Sequence, residues 1–159
     1  MLVRINAKLN SSQTRLVGST ALGYCAGLAD GEGCIHIARQ KHPGAKSGYV
    51  FRLVVTIAQN HLGTVLDFQE LIGVEGLLYK RPRRGSQNRD DYQLVYHGRK
   101  AEAILLLLRP YLNRKAMEAD VALDFQQNCE LQRHFGPNGC PDHVWKKREA
   151  CYRKLKSLK

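Results

Sequence analysis

Three glycines four residues apart, Gly23, Gly27 and Gly31, give one stripe of a short helix almost no side chain. Glycine in a helix interior costs roughly 1 kcal/mol against alanine, so three on one stripe need a packing reason. With Ala26 and Asp30 on the adjoining ridge, a second backbone can approach closely, and tight helix pairing supplies that reason. The same run, Tyr24 to Ile35, ends in two carboxylates, Asp30 and Glu32, set between Gly31 and Gly33. Those glycines should stop the helix and turn the chain into a strand. Ser19 or Thr20 is the expected N-cap, for a helix running to about Asp30.

After Cys34 the hydrophobic period changes from four to two. Ile35 and Ile37 alternate with His36, Ala38 and Gln40; beyond a Pro/Gly loop, Tyr49, Phe51, Leu53, Val55 and Ile57 alternate with Val50, Arg52, Val54, Thr56 and Ala58. This pattern predicts a hairpin with one buried and one mixed, polar face. Asn60 is the expected cap of a helix over 61–72, closed by Gly73. A second hairpin, 77–81 and 92–97, surrounds a polar loop over 82–90. Apolar helices follow over 99–108, ended by Pro110, and 114–127, with Met117, Val121 and Phe125 along one face. Trp145 to Leu158 reads as a basic helix with Trp145, Tyr152 and Leu155 on its apolar side. The order is α+β, αββαββα followed by further helices. Residues 1–18 read as a basic N-terminal arm, 19–127 as the core, and 128–159 as a loop and basic helix of the same domain.

A chain of 159 residues buries about two-thirds of its extended surface without disulfide support. Its net charge of +11 and pI near 9.7 point to an anionic partner, nucleic acid ahead of membrane, because no long apolar run accompanies the charge. Five cysteines, an odd number, and no hydrophobic leader suggest a reducing cell interior, an organelle or a prokaryotic cytoplasm.

Cys25 to Gly33 resembles the nine-residue motif of the LAGLIDADG homing endonucleases, DNA enzymes of mobile introns and inteins: Ala26, Gly27, Leu28, Asp30 and Gly33 match, and Cys25 and Ala29 depart from it. The resemblance implies the family's fold, with a saddle-shaped antiparallel sheet. It also implies a homodimer, since this chain carries one copy of the motif. Gly23, Ala26, Gly27 and Asp30 would then lie on the motif helix at the dimer interface. Glu32 stands where the family has its metal-binding acid, Gln59 where it has a glutamine that orders water, and Lys115, after Pro110 to Arg114, where it has an active-site lysine. Asp30 is read as structural. Four residues past Gln59, where a basic residue is usual, stands Gly63, so that contact is missing or replaced by His61 or Arg114.

The implied function is Mg²⁺-dependent hydrolysis of both strands of a long, nearly palindromic DNA site. Mn²⁺ or Ca²⁺ also suits the site, since such ions take oxygen ligands and need only one or two carboxylates beside substrate phosphates. Rival readings are an RNA maturase, with intron RNA as partner, and a DNA-binding regulator without cleavage. On the polar sheet face, His36, Gln40, Arg52, Thr56 and Gln93 are candidate base readers, Arg52 for guanine and the glutamines for adenine. Lys41, Lys80, Arg81, Arg83, Arg84 and Arg89 are candidate phosphate contacts. Cys129, His134, Cys140 and His143 are zinc-ligand types, but their spacing is not that of a common finger, and buried thiols with exposed histidines are the expectation.

Overall fold

A computed structural model describes residues 3–5, 18–45, 47–81, 90–129 and 139–159. Helix α1 (Ser19–Glu32) passes without a loop into strand β2 (Gly33–Lys41). Gly33 permits that junction: its N–H bonds the Ala29 carbonyl, and a Cβ at 33 would collide with the same oxygen. The cap differs from expectation. Gly18 is the N-cap and offers no side-chain bond, so Ser19 and Thr20 are exposed first-turn residues.

Strand β3 (Tyr49–Gln59) pairs antiparallel with β2, then α2 (Leu62–Ile72) leads to β4 (Leu77–Arg81) and β5 (Asp91–His97). Asn60 does not cap α2. His61 does, its Nδ1 accepting the Thr64 N–H at 3.3 Å, because the ring one position later reaches the free amide. At the other end Gly73 takes φ 68°, a left-handed cap whose N–H bonds the Gln69 carbonyl at 3.1 Å. Strand β1 (Val3–Ile5), inside the expected arm, adds an edge beside β4, giving the order β1-β4-β5-β3-β2.

Helices α3 (Arg99–Leu108), α4 (Ala116–Asp124) and α5 (Asp142–Ser157) follow, with a 3₁₀ turn at Arg109–Tyr111 and a π turn at Phe125–Cys129. They join α1 and α2 on the face carrying Ile35, Ile37, Phe51, Leu53, Val55, Ile57, Leu94 and Tyr96. Met117 departs from its expected place and is 65% exposed, since α4 turns Ala119, Val121 and Ala122 inward. Helix α5 packs Leu155 into the core and Tyr152 against Phe51, ring centroids 6.1 Å apart. Among the described residues, no helix is long and apolar enough to cross a membrane.

Candidate nucleic-acid interface and active site

Cross-strand register fixes what the second sheet face presents. His36 lies opposite Val54, which lies opposite His97; Ala38 opposes Arg52, Cys34 opposes Thr56, and Ala58 opposes Gln93. His36, Gln40, Arg52, Thr56 and Gln93 therefore share one face, away from the apolar core. His97 was not singled out from sequence, although its odd position on β5 puts it there with Gln93. Burial lowers the His97 pKa, and the Arg52 and His36 charges lower it further. Its Nδ1 is buried without a partner among the described residues.

The expected phosphate contacts divide. Lys80 already pairs with Asp90 at 2.7 Å, and Arg81 grips Asp91, its Nε at 3.0 Å, so each would have to exchange a carboxylate for phosphate. Asp91 is also 3.5 Å from the Gln93 amide. Lys41 is exposed at the end of β2, while Arg83, Arg84 and Arg89 lie outside the described residues.

One end of this sheet gathers the motif acids. Asp30 is a cap for the segment entering α4: its carboxylate accepts the N–H groups of Asn113 at 2.8 Å, Arg114 at 3.2 Å and Lys115 at 2.9 Å. Partial burial acts to raise the Asp30 pKa, but those three amides and the Lys115 charge outweigh it, and the net shift is downward. The structural reading of Asp30 is thus physically explicit. Its backbone carbonyl is used as well, accepting from Lys115 Nζ and from Arg114 at 3.3 Å.

Lys115 is buried. That burial lowers its pKa first and the Arg114 charge second, against the opposing pulls of Glu118, Asp30 and Cys34. Two residues beyond Asp30, Glu32 is exposed and unpaired among the described residues. Gln59 completes the end of the sheet. Gly33 pairs with Ile57, and two residues further along β3 Gln59 pairs with Tyr92 of β5, its Oε1 accepting the Asn60 N–H at 3.1 Å. The three expected active-site residues come from α1, β3 and the N-terminus of α4, and of these Lys115 is tied directly to the motif helix through Asp30. Near Gly63, a Cβ would meet the His61 ring at 2.8 Å, so the imidazole fills the space of a side chain there.

The glycine stripe faces outward. A Cβ at Gly23, Gly27 or Gly31 would meet nothing within 4 Å, and Tyr24 beside them is 50% exposed. Ala26 departs from its expected interface position: it is fully buried in its own protomer's core with Cys25 and Ala29, on the flank of α1 that turns toward the sheet.

Of the two motif acids, Glu32 is the one open to a hard divalent cation, since Asp30 has both carboxylate oxygens and its carbonyl engaged. Among the described residues, no three His, Cys, Asp or Glu side chains cluster as a metal site. One carboxylate per chain still fits Mg²⁺, which retains waters and takes further oxygens from phosphate. His134 of the zinc-type quartet lies outside the described residues; Cys129 instead neighbours Cys151, sulfur to sulfur 4.0 Å.

A family model described as LAGLIDADG endonuclease matches residues 25–132. No curated protein matches the chain in sequence. Among solved structures, the homing endonuclease I-CvuI in complex with its target in the presence of Ca is similar at TM-score 0.68 and 21% identity, over 88% of this chain and 82% of that one. The archaeal intron-encoded homing endonuclease I-Vdi141I complexed with DNA is similar at TM-score 0.68 and 15% identity, over 88% and 84% of the two chains. I-SmaMI, bound to uncleaved DNA with calcium ions, is similar at TM-score 0.66 and 14% identity over 94% of this chain but 46% of its own. These likenesses are of fold.

Proposed function

Since this chain belongs to the LAGLIDADG endonuclease family, we propose that it works as a homodimer that cuts both strands of a long, nearly palindromic DNA site with Mg²⁺, in the mobility of the intron or intein that encodes it. The observation that carries this reading is the contrast between two neighbouring acids. Asp30 is consumed by backbone donors, whereas Glu32 is exposed at the end of a helix whose glycine side is bare. If two copies cross at those glycines, their α1 ends bring both Glu32 carboxylates beside one two-fold axis, where the negative helix ends favour cations further.

Bound there, Mg²⁺ would lower the pKa of water and stabilise charge on the phosphate. Glu32 would hold the ion, Gln59 would orient water with its amide, and Lys115, fixed on the Asp30 carbonyl, would place a positive charge against the developing oxyanion. The polar face, with His36, Gln40, Arg52, Thr56 and Gln93, would lie in the major groove and read base edges.

The test is incubation of the protein with a duplex spanning the uninterrupted insertion locus of its gene. We expect one double-strand break with Mg²⁺ and none with a chelator. An intact locus with Mg²⁺, or cutting that persists in the chelator, contradicts the proposal.

A further inference from the structure

Just past α5, the chain sets a cation against the polar sheet face. Lys159 Nζ lies 3.1 Å from Cys34 Sγ. Cys34 is two residues past Glu32 and, opposite Thr56, sits on the polar sheet face. His36, the next residue on that face, sets Nδ1 3.8 Å from the same sulfur. Lys156 and Lys159 border a groove between the edge strand β2 and α5, with His36 on its other wall. The anchor is firm, because Leu155 is buried in the core and Tyr152 packs on Phe51 one turn earlier.

Among the described residues, neither Lys156 nor Lys159 has a carboxylate partner, and the closest polar neighbour of the Lys159 ammonium is a thiol. The Lys159 ammonium thus stands at the polar sheet face with no ion-pair partner among the described residues.

We propose that Lys159 forms a seat for one phosphodiester of the DNA backbone at the start of β2, the strand that follows Glu32, as a positioning residue for the DNA strand to be cut, while His36 keeps to the base edges. An ammonium group suits this task, since it donates up to three hydrogen bonds and acts as a point charge without reading sequence. The inference rests on the nuclease reading above. Sequence offered no signal for it, because only the docking of α5 along β2 joins residues 34 and 159.

The full chain, its Lys159→Ala variant and its Lys159→Arg variant are titrated with a mixed-sequence DNA duplex in Ca²⁺ buffer over a range of salt. Lys159→Ala should flatten the slope of log K against log salt by about 0.9 per bound protomer, and Lys159→Arg should restore it. In parallel, the duplex should shield Cys34 of the unaltered protein from iodoacetamide, read by mass spectrometry on the peptide containing residue 34, whereas inorganic phosphate should not. An unchanged slope in Lys159→Ala, with Cys34 alkylated at its free rate in the bound complex, overturns the seat and leaves the nuclease reading standing. Equal shielding by inorganic phosphate overturns the backbone assignment. A protein that binds no duplex overturns both.

Discussion

Asp30 and Glu32 are two residues apart and chemically alike, yet their surroundings assign them opposite tasks. Removing the Asp30 carboxylate leaves three backbone amides without their acceptor, and one such loss costs about 1–3 kcal/mol. Asp30→Ala should therefore lower the melting temperature by several degrees, at about 2–4 °C per kcal/mol for a chain of this size. The pH dependence follows from the lowered Asp30 pKa. The stabilisation is complete above the unfolded carboxyl value of about 3.9 and is lost as pH falls through the lower folded value. Melting temperatures measured between neutral and strongly acidic pH should fall more steeply for the unaltered protein than for Asp30→Asn; parallel curves would contradict the cap. Lys115 is harder to read from sequence than either acid, because its place depends on the loop around Pro110 folding back to Asp30, a contact across 85 residues. Lys115→Met should keep the fold and lower cleavage by about 10²-fold or more, as for loss of one preorganised charge at an oxyanion, measured as single-turnover rate on bound duplex.

Elements with a clear period were legible before the structure. The strands over 33–41 and 49–59 follow from alternation that also sorts their faces correctly, and α1 follows from its glycine spacing. Caps and helix faces were less legible. His61 rather than Asn60 caps α2 because the choice depends on which ring or amide reaches one N–H, and Met117 is exposed because α4 turns Glu118, Ala119, Val121 and Ala122 inward, a face that apolar period alone does not select. Strand β1 escaped because three residues carry too little pattern. Helix α5 is held partly by buried Glu149, which meets Arg153 at 3.0 Å and Arg39 at 3.5 Å, while Arg39 stacks over Tyr49 at 3.9 Å. Both arginines retain access to water, with side chains 30% and 76% exposed. Glu149→Ala should thus cost only about 1 kcal/mol rather than the 3–5 of a fully buried broken pair, seen as a small shift in a urea unfolding midpoint.

For the whole molecule, the glycine stripe sets the oligomeric expectation, because a surface with nothing within 4 Å of an added Cβ gains nothing from being bare in an isolated chain. Gly27→Ala separates the two states. In the protomer it should stabilise the helix by about 0.5–1 kcal/mol, while at a close helix crossing the added methyl overpacks by about 1–3 kcal/mol. Sedimentation should show a dimer weakened about fivefold or more, alongside a melting temperature of the dissociated chain that is unchanged or raised. A dimer of unaltered affinity would move the interface elsewhere. The central claim is that Glu32 serves the reaction and not the grip on DNA, and Glu32→Gln tests it most directly, with Kd and cleavage measured on the same insertion-locus duplex. We predict a Kd within a few-fold of the unaltered protein and a cleavage rate reduced by about 10³-fold, as for loss of a metal-holding carboxylate. Normal cutting by Glu32→Gln, or loss of binding in step with loss of cutting, would contradict the account.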